Sequence, residues 1–209
     1  MAGIPSMNFV APDTAGYEAA AVALRNNDVI AYPTETVYGL GVNPFSEEAL
    51  DALFAVKARD PERPALLIVA TFSQIEDKVR CVSDAARRCM DQFWPGPLSL
   101  LLPAVSGLPG RMLDDRGRLC VRCPAHPVAR GICRAWGGPI TSTSANLSGA
   151  PPAQTAAAAG LPGVALVMDG GVLNRQPPST VYDPETGRVL RQGAITAAML
   201  SEVVGPPGR

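Results

Sequence analysis

The chain is short of the residues that much enzyme chemistry relies on. It has one histidine, His126, in 209 residues, which excludes a multi-histidine metal site and any mechanism needing two imidazoles. Charged residues make up 18%, aromatics 5%, and the net charge is −1, so this is not a generally basic nucleic-acid coat. No apolar run approaches the roughly 18 residues of a membrane span. The first residues, Met1 to Pro12, lack a basic segment followed by an apolar one, so no signal peptide is expected. Five cysteines, at 81, 89, 120, 123 and 133, are an odd number that fits reduced thiols in a cytoplasmic protein better than a disulfide scaffold. There is no GxxxxGK[ST] phosphate loop, no GxGxxG dinucleotide turn and no GxSxG nucleophile elbow. A Ser-His-Asp triad would have to use His126, which stands in Pro124-Ala-His-Pro127 beside a helix start.

What remains is an ordinary globular mix, 47% hydrophobic, with 20 glycines and 21 prolines. It is rich in turns but below the composition of low-complexity disorder. The length suggests one domain, and no repeat or linker divides it. Residues 15–200 read as that domain, 1–14 as an N-terminal extension and 201–209 as a frayed tail. Segments 28–32, 65–70, 98–102, 118–122, 139–143 and 164–169 read as strands, several of them continuously apolar, as suits strands covered on both faces. Residues 179–190 suggest two short strands joined by a turn. Helices are expected over about 15–26 after Thr14, after Ser46, from Ser83 to before Trp94-Pro-Gly-Pro97, and from Pro127. The alternation predicts an α/β fold on a mostly parallel or mixed sheet.

Four segments carry polar residues in unusual places. In Tyr32-Pro-Thr-Glu-Thr-Val-Tyr-Gly-Leu-Gly41 a buried strand leads into hydroxyls and two glycines. It reads either as a turn-rich strand exit or as a ligand loop at a strand's C-terminal end. In Lys57-Ala-Arg59, one of only two lysines closes a helix. Its partner is either the helix dipole or, together with Arg59, a polyphosphate. Thr141-Ser-Thr-Ser-Ala-Asn146 is either a cap-and-turn cluster or a hydroxyl- and amide-lined pocket for phosphate or ribose oxygens. Residues 111–134 hold six arginines against two aspartates, either scattered in solvent or framing a cationic hollow. Arg122 stands inside an apolar strand, where a buried guanidinium needs an anion. Cys120-Val-Arg-Cys123 is a lone CxxC whose side chains alternate along a strand, so a redox or zinc pair is not expected.

These segments occur in order together with Val121-Arg-Cys-Pro-Ala-His-Pro127, Pro178-Ser-Thr180 and Arg191-Gln-Gly193. Over about residues 15–195 the chain resembles the YrdC/Sua5 family of threonylcarbamoyl-AMP synthases, in its short single-domain form. The resemblance implies a twisted sheet of mixed parallel and antiparallel strands, with helices packed on it, around a cationic cavity. It implies synthesis of L-threonylcarbamoyl-adenylate and pyrophosphate from L-threonine, bicarbonate and ATP, with Mg²⁺ carried on the ATP. A partner complex would then transfer the threonylcarbamoyl group to tRNA. By motif position, Lys57, Arg59, Ser144, Asn146 and Arg191 match ATP contacts, and Thr34, Arg122, Ser142 and Ser179 match threonine contacts. The chain departs from the pattern in the loop Asp60-Pro-Glu-Arg-Pro64 and in having Ile68 where longer members carry histidine. The chemistry needs positioning and charge stabilisation rather than a protein nucleophile. The competing readings are a non-catalytic double-stranded-RNA-binding module and a carbamoyl-transfer domain of the same fold.

Overall fold

Hydrophobic alternation along the strands decides which way each one faces, and pairing then fixes where the polar residues emerge. The computed structural model describes residues 7–58, 64–174 and 176–205. Its elements are β1 (Asn8–Val10), α1 (Thr14–Arg25), β2 (Val29–Pro33), β3 (Tyr38–Gly41), α2 (Glu47–Lys57), β4 (Leu66–Ile68), α3 (Asp84–Phe93) and β5 (Leu98–Pro103). They continue with β6 (Arg118–Arg122), α4 (Pro127–Trp136), β7 (Ile140–Ser144), α5 (Ala156–Ala159), β8 (Val164–Met168), β9 (Thr180–Asp183), β10 (Arg188–Arg191) and α6 (Ala197–Val204). The strands form a sheet in the order β1-β8-β2-β3-β7-β4-β6-β5-β9-β10. Pairings β1/β8, β2/β8, β4/β6 and β5/β9 are parallel, and the others are antiparallel, so the sheet is mixed. No helix among the described residues is long and apolar enough to cross a membrane.

Helix starts follow local chemistry. Ser46 and Ser83 cap α2 and α3 by accepting from the N–H groups of Ala49 and Ala86, and Pro127 opens α4. At α1 the cap is Asp13 rather than Thr14, because its carboxylate reaches the Gly16 N–H at 2.8 Å. Two boundaries shift. Residues 8–10 are not an extension but an edge strand in register with β8, and α6 continues through Val204, four residues into the supposed tail. Residues 206–209 lie outside the described residues.

Both faces of the sheet are covered, but unequally. One face packs Val29, Leu67, Leu98, Leu100, Leu119 and Val121 against Leu50, Leu53, Ala86, Cys89 and Leu200 of α2, α3 and α6. On the other face α1 and α4 bring Leu24, Ala129 and Ile132 onto Ile30, Tyr32, Ile68 and Ile140. Residues paired directly across neighbouring strands share a face. Ile68 is paired with both Ile140 and Arg122, Arg122 with Ser99, and Ser99 with Val181. The face beneath α1 and α4 therefore runs on, without changing sides, to Arg122 and Ser99.

The glycines of β3 have a packing cause. The Tyr32 ring lies across them, so a Cβ on Gly41 would stand 2.8 Å from its Cε1 and one on Gly39 3.3 Å from its Cζ. The Tyr32 hydroxyl passes over β3 and donates to the Thr141 carbonyl at 2.9 Å. Segment 32–41 is thus a hairpin, β2–turn–β3, with only residues 34–37 free of the ladder.

Candidate active site

Beyond the edge of α1 and α4 the sheet face opens into a cavity of about 900 Å³. Along β6, alternation puts Leu119 and Val121 into the core and Arg118, Cys120 and Arg122 into the cavity. The Cys120 thiol is pushed up to about 12 by burial, which leaves it a weak nucleophile at neutral pH. Cys123 sits in the core on the opposite side, donating to the Ala70 carbonyl at 3.3 Å. All five cysteines are free.

At one side of the cavity, Lys57 ends α2 and is only 4% exposed. Its ammonium donates to the Ser144 carbonyl at 2.6 Å and to Asn146 Oδ1 at 2.8 Å. Ser144 Oγ donates to the same Oδ1 at 2.5 Å, and the Ser148 N–H closes onto the Lys57 carbonyl at 3.2 Å. The end of β7 thus orients the lysine beyond its own helix terminus.

At the other side, Thr34 Oγ1 donates to the Val37 carbonyl at 2.6 Å and lies 3.1 Å from Thr36 Oγ1. The two hydroxyls meet through the turn between β2 and β3. Arg122 donates through Nε to the Gly96 carbonyl at 3.0 Å and pairs through Nη2 with Glu35 Oε2 at 2.8 Å. Trp94-Pro-Gly-Pro97 is therefore the loop that holds this guanidinium. A Cβ on Gly96 would lie 2.3 Å from the Phe93 carbonyl oxygen, so the loop cannot take its shape with a side chain there. Further along, Arg191 donates to the carbonyl of Ser179 at 3.1 Å and to its hydroxyl at 2.9 Å. Ser179 Oγ also lies 3.0 Å from Ser99 Oγ. Gly193 packs directly on the Pro178–Thr180 backbone, where a Cβ would meet the Pro178 carbonyl oxygen at 2.1 Å.

Thr34, Lys57, Arg122, Ser142, Ser144, Ser179 and Arg191 all line this one cavity. Asn146 stands beside it, bonded to Lys57. Arg59 lies outside the described residues. Of the six arginines between 111 and 134, Arg118 and Arg122 reach the cavity. Arg111 instead pairs with exposed Asp51, while Arg130 and Arg134 belong to α4. Arg118 is already neutralised, bonded to Asp114 at 2.7 Å and Asp183 at 2.6 Å. Burial alone would raise both carboxyls, but Arg118 and the backbone N–H groups of Arg118 and Arg116 outweigh it at Asp114, and Thr186 and Arg118 do so at Asp183, holding both below the usual aspartate range.

The order and convergence of these segments identify the fold family. The family model for Sua5, YciO and YrdC proteins, described as "Telomere recombination", matches residues 22–193. The chain belongs to the Sua5/YciO/YrdC family. Similar proteins from several bacteria carry the name threonylcarbamoyl-AMP synthase. That of Klebsiella pneumoniae is 40% identical over 90% of this chain and 100% of its own. That of Sodalis glossinidius is 40% identical over 82% and 93%. The crystal structure of P. abyssi Sua5 complexed with L-threonine superposes with a TM-score of 0.88 at 30% identity, over 96% of this chain. This chain spans 61% of that longer protein.

Within this Sua5/YciO/YrdC domain, sequence reasoning missed three participants. Ser99 hides in an apolar strand, although a hydroxyl alternating with Leu98 and Leu100 marks a different face. Asp183 neutralises an arginine 65 residues away, a contact that no local signal reveals. Glu35 lies within the Tyr32–Gly41 segment, but its pairing is with Arg122 on a distant strand. His126 forms no triad. Burial lowers its pKa, its Nδ1 is buried without a partner, and no described hydroxyl hydrogen-bonds to it.

Proposed function

We propose that the chain is an L-threonylcarbamoyladenylate synthase, a nucleotidyltransferase that feeds threonylcarbamoyladenosine modification of tRNA. The observation that carries this reading is the single cavity in which Lys57 and Ser144 face Thr34, Arg122, Ser142, Ser179 and Arg191, in a chain 40% identical to named synthases. Its volume of about 900 Å³ suits a nucleotide and an amino acid held together.

The threonine amine and bicarbonate condense to a carbamate and water. A carbamate oxygen then bonds to the α-phosphorus of ATP as the bond to the β-phosphate oxygen breaks, and pyrophosphate leaves with the electron pair. No enzyme nucleophile is required; alignment and compensation of developing charge are. In this reading Lys57, pre-oriented by Ser144 and Asn146, meets the triphosphate with Arg59, and Arg191 adds a further phosphate contact. Arg122 receives the threonine carboxylate, with Thr34, Ser142 and Ser179 around the rest of the amino acid. Among the described residues no group of three or more His, Cys, Asp or Glu side chains could hold a metal. Mg²⁺ would enter on the ATP phosphates, where it keeps most of its waters. The product passes to a tRNA-modifying threonylcarbamoyl-transferase complex in the cytoplasm.

Incubation with ATP, Mg²⁺, L-threonine and bicarbonate should yield pyrophosphate and the mixed anhydride by mass spectrometry. An RNA-binding module would yield neither and would instead show salt-dependent affinity for duplex RNA.

A further inference from the structure

Thr34 and Arg122 come from different strands' ends, and one side chain joins them. Glu35, next to Thr34 in the β2–β3 turn, places Oε2 2.8 Å from Arg122 Nη2, while its Oε1 accepts the Ala125 N–H. The contact with Arg122 is an ion pair without aligned hydrogen-bond geometry, and neither Glu35 Oε2 nor Arg122 Nη2 finds another partner. With the Gly96 carbonyl on Nε, one edge of the guanidinium is fixed, and Nη1 is taken by neither group. Arg122 and Thr34 line the cavity, whereas Glu35 does not. The Arg122 side chain is 5% exposed and that of Glu35 21%. A guanidinium this desolvated needs a standing counter-charge to keep its place.

We infer that Glu35 is a positioning residue for the amino-acid pocket, directing the Arg122 guanidinium and clamping residues 123–126 against the turn that presents Thr34. The inference rests on the proposed role of Arg122 toward the substrate carboxylate. A carboxylate that merely occupied the substrate's place would sit inside the cavity and would have no need of the Ala125 N–H. Glu35 acts from behind the arginine, so substrate can arrive without displacing it.

The test is Glu35→Gln, which keeps an oxygen for Ala125 and removes the charge. Pyrophosphate release is followed with threonine varied at saturating ATP, then with ATP varied at saturating threonine. The threonine KM should rise about tenfold, while the ATP KM and kcat move less than about twofold. In an Arg122→Ala background the same change should add almost nothing, since the two residues act as a unit. Glu35→Asp, which keeps the charge on a shorter reach, should recover part of the threonine KM, and it carries the test if the Gln variant does not fold. An unchanged threonine KM, an equal rise in both KM values, or additivity with Arg122→Ala overturns the inference. A lowered threonine KM does so too, because it would make Glu35 a competitor for the guanidinium. Amide hydrogen exchange reads the clamp without turnover: Glu35→Ala should speed exchange at Ala125 at least about tenfold, and unchanged exchange refutes it. A wild-type chain that makes no pyrophosphate from threonine refutes the synthase reading instead.

Discussion

Two halves of one sheet face are built from the same ladder and behave oppositely. Under α1 and α4 the face carries Ile30, Ile68 and Ile140, closed over by Leu24 and Ile132. Past β4 the same side carries Arg122, Cys120 and Ser99 around an open cavity. The two halves meet without a change of side, because Ile68 and Arg122 are direct partners across the ladder. What changes is the roof. Where helices supply apolar side chains the strands answer with apolar ones; where they stop, hydroxyls and guanidinium groups become affordable because each has a polar neighbour or faces the cavity.

Substitutions should separate the halves by what they damage. The largest effect is expected at Lys57. Removing its ammonium should lower turnover by about 100- to 1,000-fold, the scale for losing one preorganised charge-stabilising donor, while circular dichroism stays native. In the covered half Ile132→Ala should cost about 2–5 kcal/mol of stability through the cavity it leaves, measured by denaturant unfolding, with activity per folded molecule unchanged. Arg122→Ala should raise the threonine KM by about 10- to 100-fold, as expected for losing charge-assisted hydrogen bonds, with a smaller change for ATP. Equal losses for both substrates would remove its carboxylate role.

The smallest effect sharpens the comparison from its far end. Asp114, Arg118 and Asp183 are polar and border the open half, yet they bond to one another. Both carboxyls titrate below the usual aspartate range in the folded chain. A depressed folded-state pKa gives stability that is fully present above the unfolded value and is lost as pH falls through the folded one. Their contribution should therefore hold at neutral pH and fade only below about pH 3.9. Asp183→Asn should reduce that dependence in thermal unfolding scans, with little change in turnover at neutral pH.

Much of this organisation is legible in the chain. Leu98–Leu102, Arg118–Arg122 and Val164–Met168 announce strands by apolar content, and Ser46, Ser83 and Pro127 announce helix starts by capping chemistry. β3 escapes because two of its four residues are glycine, a poor strand former. The reason for them is a tyrosine ring arriving from the neighbouring strand. β1 escapes because Asn8–Val10 is an edge strand with little burial, whose partner in β8 lies over 150 residues onward. In the site, the hydroxyl run at the end of β7 and the arginine within β6 stand out by being out of place. The neutralisation of Arg118 and the Glu35 clamp depend on pairings between distant segments and become visible only once the sheet is assembled.

The placement of Lys57 has a practical corollary. The chain's two lysines are unequal, one sealed at the cavity edge with 4% of its surface exposed, the other, Lys78, with a third of its side chain accessible. Amine-selective acylation followed by peptide mapping should therefore mark Lys78 and spare Lys57 as long as the chain stays folded, so that labelling of Lys57 becomes a chemical gauge of opening at the cavity edge.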